Sequence, residues 1–299
     1  MATTRFRSDA GLTARMGVVM LLLGALYVTV MAGLIVAGFS AAAVLVLAAI
    51  FGIGQWFFSD KLAMAAMRAR EVTPEQAPEL HGMIDRLCAL ADMPKPRVAI
   101  ADTDIPNAFA TGRSPTKSVI CVTTGVMRRL DSEELEGVLS HELSHVAHRD
   151  VAVMTIAGFL GVAAGLVMRW GLYFGGGSRR ENNGLPVWLL IWLGSIVVYA
   201  VSFLLTRVLS RYRELCADRS GAYLTGKPSA LASALTKISG EMARIPTRDL
   251  RQEQAFNAFM FAPALNAQSV SGLFSTHPPL ERRLEQLAQI SADLSRPTI

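Results

Sequence analysis

The chain has 299 residues, of which 52% are apolar and only 18% charged, and its formal net charge is +5. With a mean hydropathy of +0.36, it carries more apolar sequence than one soluble core of this length buries, which excludes an ordinary soluble enzyme and makes lipid the second solvent. The basic excess lies beside apolar runs rather than in a nucleic-acid motif, and the three cysteines (Cys88, Cys121, Cys216) have no paired spacing, so neither a nucleic-acid partner nor a disulfide framework is expected.

Residues 1–58 read as a pair of transmembrane helices. Met16 to Phe58 contains no charged residue, about twice the length that one span needs, and Gly38-Phe39-Ser40 marks a very short turn in its middle. The first run is too long for the apolar stretch of a cleaved signal peptide, and a second follows at once.

Residues 59–150 form the first half of a soluble domain. Pro78 to Ala91 has helical apolar spacing. Arg97–Ala101 and Ser118–Thr123 are β-branched and bounded by turn residues, so they are predicted strands, and Ala108–Thr111 fits a short edge strand between them. Asp131-Ser132-Glu133-Glu134 opens the next helix, with acidic residues where the helix dipole favours them.

That helix carries His141-Glu142-Leu143-Ser144-His145. Residues four apart share a helix face, so both imidazoles can reach one metal while Glu142 stands beside them to work on a water. A catalytic zinc site takes three protein ligands and keeps one position open, so a third ligand is required.

Residues 151–206 read as a second pair of spans, Val151–Met168 and Asn182–Thr206, joined by a Gly-rich loop. Residues 207–299 complete the soluble domain, with helices clearest over Ser229–Arg244 and Leu280–Leu294. Glu214 and Asp218 share a helix face in the first part of this piece. Glu214 is the candidate third ligand, and Asp218 is placed to accept a hydrogen bond from a ligand imidazole. His145 lies six residues before the third span and Glu214 seven residues after Arg207. The ligand helices therefore read as extensions of two membrane helices, with the ligands on the order of 10 Å from the membrane boundary. Four spans put the basic clusters Arg5/Arg7/Arg15, Lys61/Arg68/Arg70 and Arg207/Arg211/Arg213 on one side. The N-terminus, the catalytic domain and the C-terminus are thus expected in the cytoplasm.

Together, the zinc-helix motif, His148-Arg149-Asp150, Arg211–Ala222, Ser275–Arg283 and Asn107–Gly112 resemble the HtpX-type membrane zinc proteases, gluzincins related to the CAAX prenyl proteases. The resemblance spans nearly the whole chain. It implies an α+β fold: a multi-span α-helical membrane protein with a zincin-like metalloprotease domain, mostly helical with a small β-sheet. It further implies one Zn2+ per chain on His141, His145 and Glu214, with Glu142 as the catalytic residue. The implied role is stress-linked quality control at the cell (inner) membrane, cutting damaged or misfolded membrane proteins.

The substrate is expected to lie extended along Asn107, Ala108, Phe109, Ala110 and Thr111, adding a strand to an exposed sheet edge. His277 reads two ways: as helix-start structure before Pro278-Pro279, or as a group that stabilises the oxyanion or fills the open metal position. His148 reads as a supporting or structural residue, and His81 as a surface or packing histidine. Two other functions remain: a dedicated processing protease, and a non-catalytic zinc-stabilised scaffold or holdase. An intact Glu142 argues against the scaffold. A cysteine introduced at Ser178 is expected to react with a membrane-impermeant maleimide applied to intact cells; reaction only after lysis would show that the third and fourth segments do not cross.

Overall fold

The structure is a computed structural model describing residues 10–36, 38–150, 153–154, 164, 187–244 and 278–296. It divides into two units. One comprises Met1–Ala10, Phe58–Ala152 and Ser210–Ile299, the other Gly11–Phe57 and Val153–Leu209.

In the second unit, long apolar helices dominate. Helix α1 covers Ala10–Val36 and α2 begins at Ala41 and runs to Ala66. Among the described residues three helical stretches are long and apolar enough to cross a membrane: Ala10–Val36, Ala41–Lys61 and Ile191–Thr225. Their surfaces are what lipid requires, since Leu21 is 71% and Ile50 60% exposed. Of the expected third span, Val151–Met168, only residues 153, 154 and 164 are among those described.

The first unit is built on a four-stranded sheet of order β1-β2-β4-β3. The strands are β1 (Arg70–Glu71), β2 (Arg97–Ala101), β3 (Ala108–Gly112) and β4 (Ser118–Thr123). β2 and β4 are parallel; β1 and β3 pair antiparallel at the two sides. The two-residue β1 has no apolar alternation and gives no strand signal in the sequence. β4 is buried along its whole length because both faces are covered. Ile120 and Val122 enter the main core with Ile84 and Leu139, while Val119 and Cys121 meet Phe109, Ala63 and Met67 on the other side.

Helices fill the core face. α3 (Pro78–Ala91) starts on a proline, which suits a first turn, and ends at Asp92 in the left-handed conformation. Its His81 is buried, with Nε2 3.0 Å from the Val72 carbonyl, a packing role. A short α4 (Thr124–Arg129) leads to α5 (Ser132–Ala147), which opens with a capping box: Asp131 accepts from the Glu134 backbone and Glu134 reaches back to the Asp131 N–H. Glu134 also accepts from Ser233 and Lys237 of α7 (Pro228–Arg244), at 2.6 and 2.7 Å, so the start of α5 is fastened to a second helix. Among the described residues, two further α-helices are α6 (Val187–Thr225) and α8 (Leu280–Leu294).

The reading of both ligand helices as extensions of membrane helices holds for α6, one uninterrupted helix that carries an apolar run and Glu214. It does not hold for α5. That helix stops at Ala147, His148 caps it by bonding back to Ser144, and Arg149 takes a left-handed φ of 58°. His148 is thus structural.

Gly221 lets α6 approach α5. A Cβ at that position would lie 2.8 Å from Ser140 Oγ and 3.0 Å from the His141 nitrogen. Helix propensity favours alanine over glycine by about 1 kcal/mol, but overpacking of this kind costs roughly 1–3 kcal/mol, so sterics win. Gly221→Ala is expected to lower the unfolding free energy in chemical denaturation. Gly82→Ala in α3, where nothing lies within 4 Å, should raise it by about 0.5–1 kcal/mol; equal signs for the two would contradict the close approach.

Candidate metal centre

The helical spacing of α5 puts His141 and His145 one turn apart on a buried face, with Glu142 buried beside them. α6 brings Glu214 to the same point. One ligand atom from each of His141, His145 and Glu214 lies within 4.8 Å of the others. In detail, the two Nε2 atoms are 3.2 Å apart; Glu214 Oε2 is 3.6 Å from His141 Nε2, and Oε1 is 3.4 Å from His145 Nε2. A tetrahedral zinc with bonds of 2.0–2.1 Å places its ligands roughly 3.3–3.4 Å from one another. The donor set therefore fits such an ion in kind, and with one Glu214 oxygen facing each imidazole the separations lie near that spacing.

The atoms behind the imidazoles point them inward. His141 Nδ1 lies 2.9 Å from Asp218 Oδ1, and His145 Nδ1 lies 2.8 Å from Asp150 Oδ2. Each carboxylate lies against Nδ1 and favours a proton there, which turns Nε2 toward the candidate metal site. Burial alone would lower the proton affinity of His141, but the hydrogen bonds to Asp218 and Glu214 raise it. The same balance lifts His145 to about 10, with burial opposing and Asp150 and Glu214 prevailing. Surroundings that favour a proton here favour a metal cation for the same electrostatic reason.

Behind Asp218 stands Arg283 of α8. Its Nε and Nη2 donate to Asp218 Oδ2 and Oδ1, each at 2.7 Å, and its Nη1 is 3.9 Å from Glu214 Oε2. Burial would push the Asp218 carboxyl up, but Arg283 and His141 hold it below the ordinary carboxylate range. Arg213 similarly faces Asp150. The sequence places Arg213 in a basic cluster flanking an apolar run and Asp150 and Arg283 in the family-like motifs, but gives none of them a role at the metal site. Arg283 lies 65 residues from Asp218, and its only local signal is an arginine on the apolar stripe of an amphipathic helix.

Glu142 accepts a hydrogen bond of 2.9 Å from the Ala110 N–H of β3. Burial raises its proton affinity, against the pull of His141 and His145. The expected strand at Ala108–Thr111 is present and lies at the end of the sheet. It differs from the expectation in being buried rather than exposed, because α5 packs against it and the other face meets the α2 end. Asn107 is 1% exposed and lies just before the strand, where its backbone pairs with Thr123. A small open cleft adjoins His145 at the far end of β3, lined in part by Gly112, Arg113, Ser118 and Arg149. His277 lies outside the described residues.

Residues 74–291 match the model of peptidase family M48. The chain is 58% identical to "Protease HtpX homolog 1" of Streptomyces coelicolor over 295 residues, 97% of this chain and 96% of that protein. It is 54% identical to "Protease HtpX homolog" of Moorella thermoacetica, over 96% and 97% of the two chains. Among solved structures, S. mikatae Ste24p shares the fold, with a TM-score of 0.51 at 16% identity; the match covers 93% of this chain and 66% of that longer one.

Asp218 is 0% and Arg283 2% exposed. Removing one member of such a pair leaves an uncompensated buried charge, so Arg283→Met is expected to cost about 3–5 kcal/mol in chemical denaturation. Asp218→Asn added to Arg283→Met should recover much of that loss, and no recovery would mean that the two charges are not coupled.

Proposed function

The chain belongs to peptidase family M48, and from that membership we propose a zinc-dependent endopeptidase that cuts damaged or misfolded membrane proteins. Its standing as a membrane metalloprotease follows from the family, the HtpX relatives and the membrane-length helices. The observation that carries the finer reading is the convergence of His141, His145 and Glu214, with Glu142 on the same buried helix face.

In this reading those three residues hold one Zn2+ per chain. When bound, zinc supplies Lewis acidity that polarises the scissile carbonyl and acidifies water. Glu142 takes a proton from the attacking water and delivers it to the leaving amine. A carboxylate whose proton affinity burial has raised suits a group that must hold that proton between two steps. The Ala110 N–H orients the Glu142 carboxylate, and Asp218 and Asp150 orient the imidazoles. The substrate backbone runs beside β3, which brings its scissile bond to Glu142. The basic clusters flanking the apolar runs support a cytoplasmic catalytic domain at the inner membrane.

The test is digestion of casein by detergent-purified protein purified in chelator and reloaded with zinc. Glu142→Gln is expected to lose roughly 10²–10⁴-fold in rate while keeping one zinc per chain. Equal cleavage by the variant would remove Glu142 from the reaction. Zinc binding without cleavage by either protein would favour a narrow, dedicated substrate over general quality control.

A further inference from the structure

Asp150 closes the chain around the metal centre. Arg149, just before it, has a left-handed φ of 58°, and this reversal returns Asp150 toward the helix it has just left. Its Oδ2 lies 2.8 Å from His145 Nδ1 and 3.1 Å from Arg213 Nε. Asp150 is 1% exposed and Arg213 7%. Arg213 directly precedes Glu214 on α6.

The two imidazoles are therefore secured differently. His141 is tied to α6 by Asp218, which sits on the same helix as Glu214. Among the described residues, the carboxylate at His145 Nδ1 is Asp150, from its own end of the chain, and Arg213 links that carboxylate to α6. A buried Asp150 without the arginine would be an uncompensated charge. With it, the carboxylate stays ionised and faces Nδ1, so Nε2 is the ring nitrogen turned toward Glu214.

We propose that Asp150 and Arg213 form a positioning pair that sets His145 against Glu214, joining the end of α5 to α6 so that the three ligands are in register before a metal arrives. The proposal rests on His141, His145 and Glu214 being the metal ligands. Neither member of the pair touches the metal or the substrate.

The experiment uses the full-length, metal-stripped protein in detergent. Zinc affinity is measured by competition with a chromogenic chelator, and the visible spectrum of the cobalt-loaded protein reports ligand geometry. Asp150→Asn and Arg213→Met are each expected to weaken zinc binding about 10–100-fold and to alter the cobalt spectrum. The double variant should lose no more than the weaker single, because partners in one contact do not add. Arg213→Lys keeps the charge without the guanidinium geometry and should recover part of the loss. Lys227→Met, which breaks a surface pair with Glu133, should bind zinc as the wild type does.

Should a single variant fail to fold, the double variant, with no buried charge left unpaired, carries the test and is still expected to lose about 10–100-fold. Wild-type affinity and spectrum in the folded variants, or losses that multiply in the double, would overturn the pair alone. A wild type that takes up no zinc, or keeps it after His145→Ala, would overturn the ligand assignment and the pair with it.

Discussion

Burying two imidazoles, Glu142, Glu214, Asp150 and Asp218 in one small volume concentrates negative charge where water cannot screen it. Four carboxylates at this spacing repel one another unless positive charge lies among them. The protein supplies Arg283 against Asp218 and Arg213 against Asp150, both buried, and leaves the remaining deficit at the point where the Nε2 atoms and Glu214 converge. A bound metal cation at that point would complete the balance. The arrangement of the surrounding helices can be understood from this requirement: α8 delivers Arg283, α6 delivers Arg213, Glu214 and Asp218, and α5 delivers the imidazoles.

Those helices need a firm seat. α5 is held at its start by the Asp131–Glu134 capping box and the bonds of Glu134 to Ser233 and Lys237. Along its length it packs over the sheet through Val138, Leu139 and Leu143, with Leu231 and Leu235 of α7 in the same core. The near contact of Gly221 with Ser140 and His141 then sets how closely α6 may lie. Ligand spacing is thus governed by packing as much as by the ligands, because a ligand atom displaced by a few tenths of an ångström falls outside the zinc bond range.

The sheet contributes chemistry as well as support. β3 ends the sheet, yet the Ala110 N–H that would otherwise seek a further strand is taken by Glu142. A strand edge thereby becomes an orienting group for the proposed base, and the same edge is the surface proposed to guide substrate. The strand edge, the proposed base and the three candidate ligands are consequently one constellation.

Much of the site is legible in the sequence because it depends on local periodicity. The four-residue spacing of His141 and His145 guarantees a shared face on any helix, and the same holds for Glu214 and Asp218. β-branched runs bounded by turn residues mark β2 and β4, and β3 is expected as a short edge strand from its place between them. The HExxH pattern with its acidic helix start and the long apolar runs are properties of neighbouring residues, and the family resemblance they help to carry implies the fold class. What the tertiary structure alone decided are the pairings across distance: Arg283 with Asp218, Arg213 with Asp150, Glu142 with Ala110, and the burial of β3 under α5. The break after Ala147 belongs there too, since a non-glycine residue with positive φ gives no compositional signal. Local sequence sets which face of an element carries which group. Which of those groups meet depends on how closely the elements pack, and that is a property of the whole core.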